Sequence, residues 1–188
     1  MEFSVNNYIN QHNKVISSLD IHEVERALEI IKHTMVNGNR IATCGNGGSA
    51  LAASHFITDW NKMIFSQKNI CFNGISLVDN IGLITAYSND LSYEHVFSEQ
   101  VKNLLKEGDL LITVTGSGNS RNILQATEVA NSMGVNTLTI CGFDGGRIRK
   151  IANNYVWIRS MDMQICEDAH VIFGHMVMKY LCEEGINT

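Results

Sequence analysis

The sequence predicts an α/β fold: a doubly wound, five-stranded parallel sheet flanked by helices and preceded by two N-terminal helices. Three observations carry that expectation. Short apolar runs alternate with helical-period segments of about 10–15 residues, the pattern of repeated βαβ units. One run, Asp109 to Thr115, is almost continuously apolar, as a strand covered on both faces requires. Glycine-rich turns, Gly45 to Ser49 and Gly116 to Ser120, leave two of these runs and open helical segments. In such sheets ligands bind beyond the carboxyl ends of the strands. A chain of 188 residues holds one full core and is short for two, so residues 1–188 are expected to form a single domain.

Taken in order, residues 2–18 and 20–37 read as helices. The first spaces Ile9, Val15 and Ile16 on a weakly amphipathic face, which suits packing on another subunit. The second has Asp20 as its cap and Ile21, Val24, Ala27, Leu28, Ile31 and Met35 at helical intervals, and Asn37-Gly38-Asn39 stops it. Residues 1–38 are therefore expected to serve oligomerisation. Strand one spans 40–45, and a helix capped by Ser49 runs to about Asn61. Strand two is read over 70–78, a short helix over 79–86, a turn at Ser88-Asn89-Asp90, and one helix over 93–105. Strand three covers 109–115 and its helix 121–133, stopped by Gly134. Strand four is 135–141; after the turn 142–146 a short helix reaches about 152. Strand five is 155–158. A closing helix runs from Met163 to Glu183, and Gly185 ends it.

Composition narrows the function. The net charge of −5, with no basic run, disfavours broad binding to nucleic acid or acidic lipid. No apolar stretch reaches the ~18 residues of a membrane span. The first residues carry neither a basic nor an apolar leader region. Five scattered cysteines, none in a C-x-x-C pair, fit free thiols in a reducing cytoplasm, the expected location.

Two loops and two helices carry the candidate chemistry. Gly45, Gly47 and Gly48 beside a helix start make an anion site, and neither the dinucleotide nor the P-loop pattern is present. Thr115, Ser117 and Ser120 add hydroxyls around a second glycine loop. Hydroxyls and amides satisfy a phosphate without lysine, which suits a small phosphorylated metabolite. His55 and Asp59, at i and i+4, lie about 40° apart on one helix face and can share a metal ion or a hydrogen bond. On the last helix Glu167 and His175 lie about 80° apart, whereas His170 is about 140° from His175. His55, Asp59, Glu167 and His175 thus offer two nitrogen and two oxygen ligands on two helices, a set that suits zinc or another transition metal.

Cys44 to Ser49, His55-Phe56, Ser88 to Asp90, Ser117 to Ser120, Asp144 to Gly146 and the His-rich last helix come in the order seen in sugar isomerase (SIS) domains. The chain most resembles their phosphoheptose isomerase branch, over essentially its whole length. The resemblance implies a homotetramer with active sites at subunit interfaces. It implies conversion of sedoheptulose 7-phosphate to D-glycero-D-manno-heptose 7-phosphate, towards lipopolysaccharide or capsule. By the family's motifs Asn46, Gly47, Gly48 and Ser49 line the substrate site, Asn89 and Asp90 contact the sugar, and Thr115, Gly116, Ser117 and Ser120 hold the phosphate. His55, Asp59, Glu167 and His175 fall on the zinc positions, with Asp59 and His175 as the acid/base pair and Glu167 as the fallback base. The family has Glu at position 59 and Gln at position 167. That altered pair suits the alternative of a non-catalytic SIS module that binds a sugar phosphate or a replication initiator; the retained His55 and His175 suit the enzyme.

Overall fold

Every residue of the strands Ile41–Gly45 (β1) and Leu110–Thr115 (β3) is buried, so side chains of both parities need cover and helices lie on both faces. The computed structural model describes residues 3–183. Its other strands are Gly74–Ser76 (β2), Asn136–Cys141 (β4) and Asn154–Trp157 (β5), and the sheet is parallel throughout in the order β2-β1-β3-β4-β5. This order reverses between β1 and β3, the switch point at which such sheets open a crevice. Gly45 pairs with Val114, so the loops that follow β1 and β3 leave the sheet side by side.

Alternation along the strands divides the core. Ile41, Ile112, Val114, Leu138 and Ile140 face the helices Val5–Ser17 (α1), Ile21–Val36 (α2), Gly47–Lys68 (α3) and Met163–Glu183 (α8). Ala42, Cys44, Leu111 and Cys141 face Ser98–Leu104 (α5), Arg121–Ser132 (α6) and the short Ile148–Ile151 (α7). Ile81–Asp90 (α4) contributes no buried residue. Trp60, Phe56 and Phe173 are the bulk of the α3–α8 contact, each worth about 2–3 kcal/mol on burial. At the other end of the sheet buried Asp109 accepts the N–H groups of Arg40 and Lys106 at 2.8 and 2.9 Å, fixing β1 against β3.

The expected fold class and α8 from Met163 to Glu183 match; Gly185 lies outside the described residues. Asp20 caps α2 as expected, its carboxylate accepting from His22 and Glu23. Several boundaries differ. The third helix starts at Gly47 with Asn46 in the cap position, so Ser49 lies within its first turn, and it runs seven residues past Asn61 to Lys68. β2 has three residues, Gly74–Ser76. Asn89 and Asp90 end α4 instead of forming a turn. The segment 93–105 is a 3-10 turn, Tyr93–His95, followed by α5, because Val96 and Phe97 turn into the core between them. Four cysteines are buried, and Cys71 is exposed.

Candidate active site

The glycine loops and the start of α8 enclose a cavity of about 250 Å³ at the carboxyl end of β1 and β3. Its wall includes Asn46, Gly47, Gly48 and Ser49 from one loop and Thr115, Gly116, Ser117 and Ser120 from the other. Asn46 caps no N–H with its side chain, which leaves the first-turn amides of α3 available to an anion. Thr115 Oγ1 accepts from the Gly118 N–H at 3.2 Å, and Ser117 Oγ accepts from the Asn119 N–H at 3.3 Å, so both hydroxyls keep their O–H for a ligand. Ser120 stands at the cap of α6 without a side-chain cap bond. Eight of the ten residues expected at the phosphate and sugar end, all but Asn89 and Asp90, therefore share one cavity. A larger one, about 530 Å³ at the amino ends of the strands beneath Arg26, His33 and Asn39, has no comparable loops.

The second half of the site depends on how closely α8 approaches α3. The Phe56 ring lies on the backbone of Gly174 where any Cβ would overlap it, and the Trp60 indole N–H donates to the Gly174 carbonyl at 2.9 Å. Next to that contact, His55 Nε2 and His175 Nε2 stand 3.0 Å apart. Asp59 Oδ2 lies 3.5 Å from the first and 3.7 Å from the second. These separations sit near the edge of about 3.3 Å in a tetrahedron with bonds of 2.0–2.1 Å, so two imidazoles and one carboxylate suit zinc with a position open to solvent. Among the described residues this is the group whose ligand atoms converge.

Glu167 does not join it. Eight residues of helix put Glu167 about 12 Å from His175 along the axis, so the angular agreement on a helical wheel does not become proximity. Its carboxylate instead presses on Gly48, where a Cβ would overlap it, and forms part of the cavity wall. Within one chain three members of the expected metal set, His55, Asp59 and His175, converge, and the fourth, Glu167, lies at the cavity wall. Asn89 and Asp90 are exposed, hydrogen-bonded to each other at 2.9 Å, and do not line the cavity of their own chain.

A model of the SIS domain matches residues 6–142. A phosphoheptose isomerase of Aliarcobacter butzleri is 34% identical over 91% of this chain and 89% of its own. A probable phosphoheptose isomerase of Thermoplasma volcanium is 34% identical over 92% and 88%.

The chain belongs to the SIS domain family, in its phosphoheptose isomerase branch.

Solved structures agree on the fold. The SIS domain here superposes on a phosphoheptose isomerase of Neisseria gonorrhoeae with a TM-score of 0.88 at 24% identity, covering 96% of this chain and 97% of that one. A phosphoheptose isomerase from Francisella tularensis gives 0.89 at 24%.

Sequence reasoning passed over three residues at this SIS site. Met163 reaches Gly116 with its sulfur. Asn122 and Tyr93 bond to Asn46. The available signal was Asn122 itself, a polar residue in the first turn of a helix that otherwise packs on the sheet. His170, about 140° around the helix from His175, is fully buried with neither ring nitrogen hydrogen-bonded among the described residues, and burial lowers its pKa to about 4.

Proposed function

We propose that this SIS domain is a phosphoheptose isomerase that converts sedoheptulose 7-phosphate to D-glycero-D-manno-heptose 7-phosphate, in heptose biosynthesis for lipopolysaccharide or capsule. The observation that carries the reading is that a hydroxyl-and-amide cradle and a His–Asp–His cluster lie along the same pair of helices, α3 and α8. Thr115, Ser117 and Ser120 hold the phosphate, with the α3 amides and Ser49 facing the sugar. A ligand held there extends along α3 and α8, bringing its carbonyl end to Asp59 and His175. Asp59 takes a proton from C1 and returns it to C2 of the enediol. His175 gives a proton to O2 and receives one from O1, so no net proton is lost. The same three side chains, His55, Asp59 and His175, could instead hold one zinc ion, which when bound would polarise the carbonyl as a Lewis acid in place of the proton that His175 supplies to O2. Glu167 is a second base within the cavity.

The reading includes a homotetramer with active sites at subunit contacts, supported by the exposure of His55 and His175 and by the lack of any buried residue on α4. A coupled assay on sedoheptulose 7-phosphate tests the activity: turnover is expected from the wild type, and His175→Ala should lose about 10³-fold in kcat while still binding the sugar phosphate. Binding without turnover by the wild type would make it a sugar-phosphate sensor. Activity that survives exhaustive chelation removes zinc from the scheme and leaves the proton transfers in place.

A further inference from the structure

Asn46 opens α3 at the cavity wall but spends its side chain within the protein. Asn122, 3% exposed in the first turn of α6, accepts the Ile123 N–H on its Oδ1 at 3.0 Å. A backbone N–H can only donate, which settles the orientation of the Asn122 amide. Asn46 Nδ2 therefore donates to Asn122 Oδ1 at 2.9 Å, and Asn122 Nδ2 donates back to Asn46 Oδ1 at 2.9 Å. Tyr93 donates its hydroxyl to the same Asn46 Oδ1 at 2.8 Å. Glu94, beside Tyr93, is paired with Arg121 at 2.8 Å, which pins the 3-10 turn against α6. Both lone pairs of the Asn46 oxygen are now filled and one of its two N–H groups is used. One N–H donor remains at the wall, and no acceptor.

We propose that Asn122 is a positioning residue: with Tyr93 on the outer side, it locks the Asn46 carboxamide so that a single N–H meets an oxygen of the sugar, and it ties the starts of the two helices that frame the cavity. The inference rests on the isomerase reading and extends it. The ligand atom opposite Asn46 is an acceptor, a hydroxyl or carbonyl oxygen. Without Asn122 the amide is free to rotate and present its oxygen instead, turning an attractive contact into a repulsive one. The phosphate, held by the 115–120 loop, does not depend on that orientation.

The test is calorimetric binding of sedoheptulose 7-phosphate and of inorganic phosphate to the wild type, Asn122→Ala, Asn122→Asp and Tyr93→Phe. Asn122→Ala should weaken the sugar phosphate about tenfold while inorganic phosphate stays within about twofold, a split that a merely structural role does not produce. Asn122→Asp keeps the acceptor for Ile123 and loses the donor to Asn46. Its affinity for the sugar phosphate should recover relative to wild type as pH falls into the carboxyl range, where the acid regains an O–H donor. Tyr93→Phe removes only the outer bond and should cost the sugar phosphate a few-fold, which covers the case in which the Ala variant does not fold. Equal weakening of both ligands, or unchanged sugar-phosphate affinity in Asn122→Asp and Tyr93→Phe, overturns the proposal. Wild-type binding of sedoheptulose 7-phosphate without turnover overturns the isomerase reading alone; no binding of it overturns both.

Discussion

Single residues decide what the cavity accepts and how the protein responds to pH. Glu167 rests on Gly48 because no Cβ intervenes. In Gly48→Ala the carboxylate, being the end of a flexible side chain, swings away at little cost in stability, so the melting temperature should move by no more than about 2 °C. KM for the sugar phosphate should still rise severalfold, since the wall of the cavity is rebuilt; an unchanged KM would place Glu167 outside the substrate contact. His170 is a stability matter. Burial lowers its pKa from 6.5 to about 4, so the folded protein keeps it neutral while the unfolded chain takes up a proton below about pH 6.5. The folded state therefore loses stability as pH falls from 6.5 towards 4, by ~3 kcal/mol at most, and this group adds no further loss below that. Urea melts between pH 7.5 and 4.5 should resolve that limb in the wild type and find it flattened in His170→Phe.

At the scale of elements, the contact between α3 and α8 builds the His–Asp–His cluster. In Gly174→Ala a methyl group must displace the Phe56 ring, forcing the helices apart at the residue next to His175. A loss of about 1–3 kcal/mol in stability is expected, with a fall in activity greater than that loss of folded protein explains. Thermal melts and kcat on the same preparation check it. The same helices mark the limit of what the chain could disclose in advance. The alternating apolar runs, the cap at Asp20 and the full length of α8 were legible because periodicity and local caps write them directly. The start of α3 was not: Asn46 and Ser49 are both good caps, and only the close approach of the backbone to the sheet selects the earlier one. The break between Tyr93 and Ser98 follows from Val96 and Phe97 turning into the core, a tertiary demand that helical spacing does not record. Glu167 was grouped with the histidines by its angle on α8, and the two turns of rise between it and His175 keep their ligand atoms from converging within one chain. The cradle residues were legible because they are contiguous in sequence, whereas the Asn46–Asn122–Tyr93 contacts join three separate segments.

For the whole molecule, the question is what covers the surface that remains. Ile81 is 72% exposed on α4 and Leu51 is 75% exposed on α3 one turn before His55, both large apolar groups open to solvent in a single chain. Light scattering should give four times the mass of the chain, and Ile81→Asp should lower both that mass and the activity; a fully active monomer would uncouple assembly from catalysis. The two histidines have a consequence for heat resistance as well. They stand 120 positions apart in the chain yet meet within 3.0 Å. Any ion gripping both is a removable cross-link between distant segments, and the unfolded chain offers it no such grip. The melting point should therefore climb with free zinc, as stability rises by about 2.7 kcal/mol at a hundredfold excess over the dissociation constant, and cease to climb once His55 is replaced by alanine. Supply of the ion would then govern how long each molecule survives warming, quite apart from how fast it works.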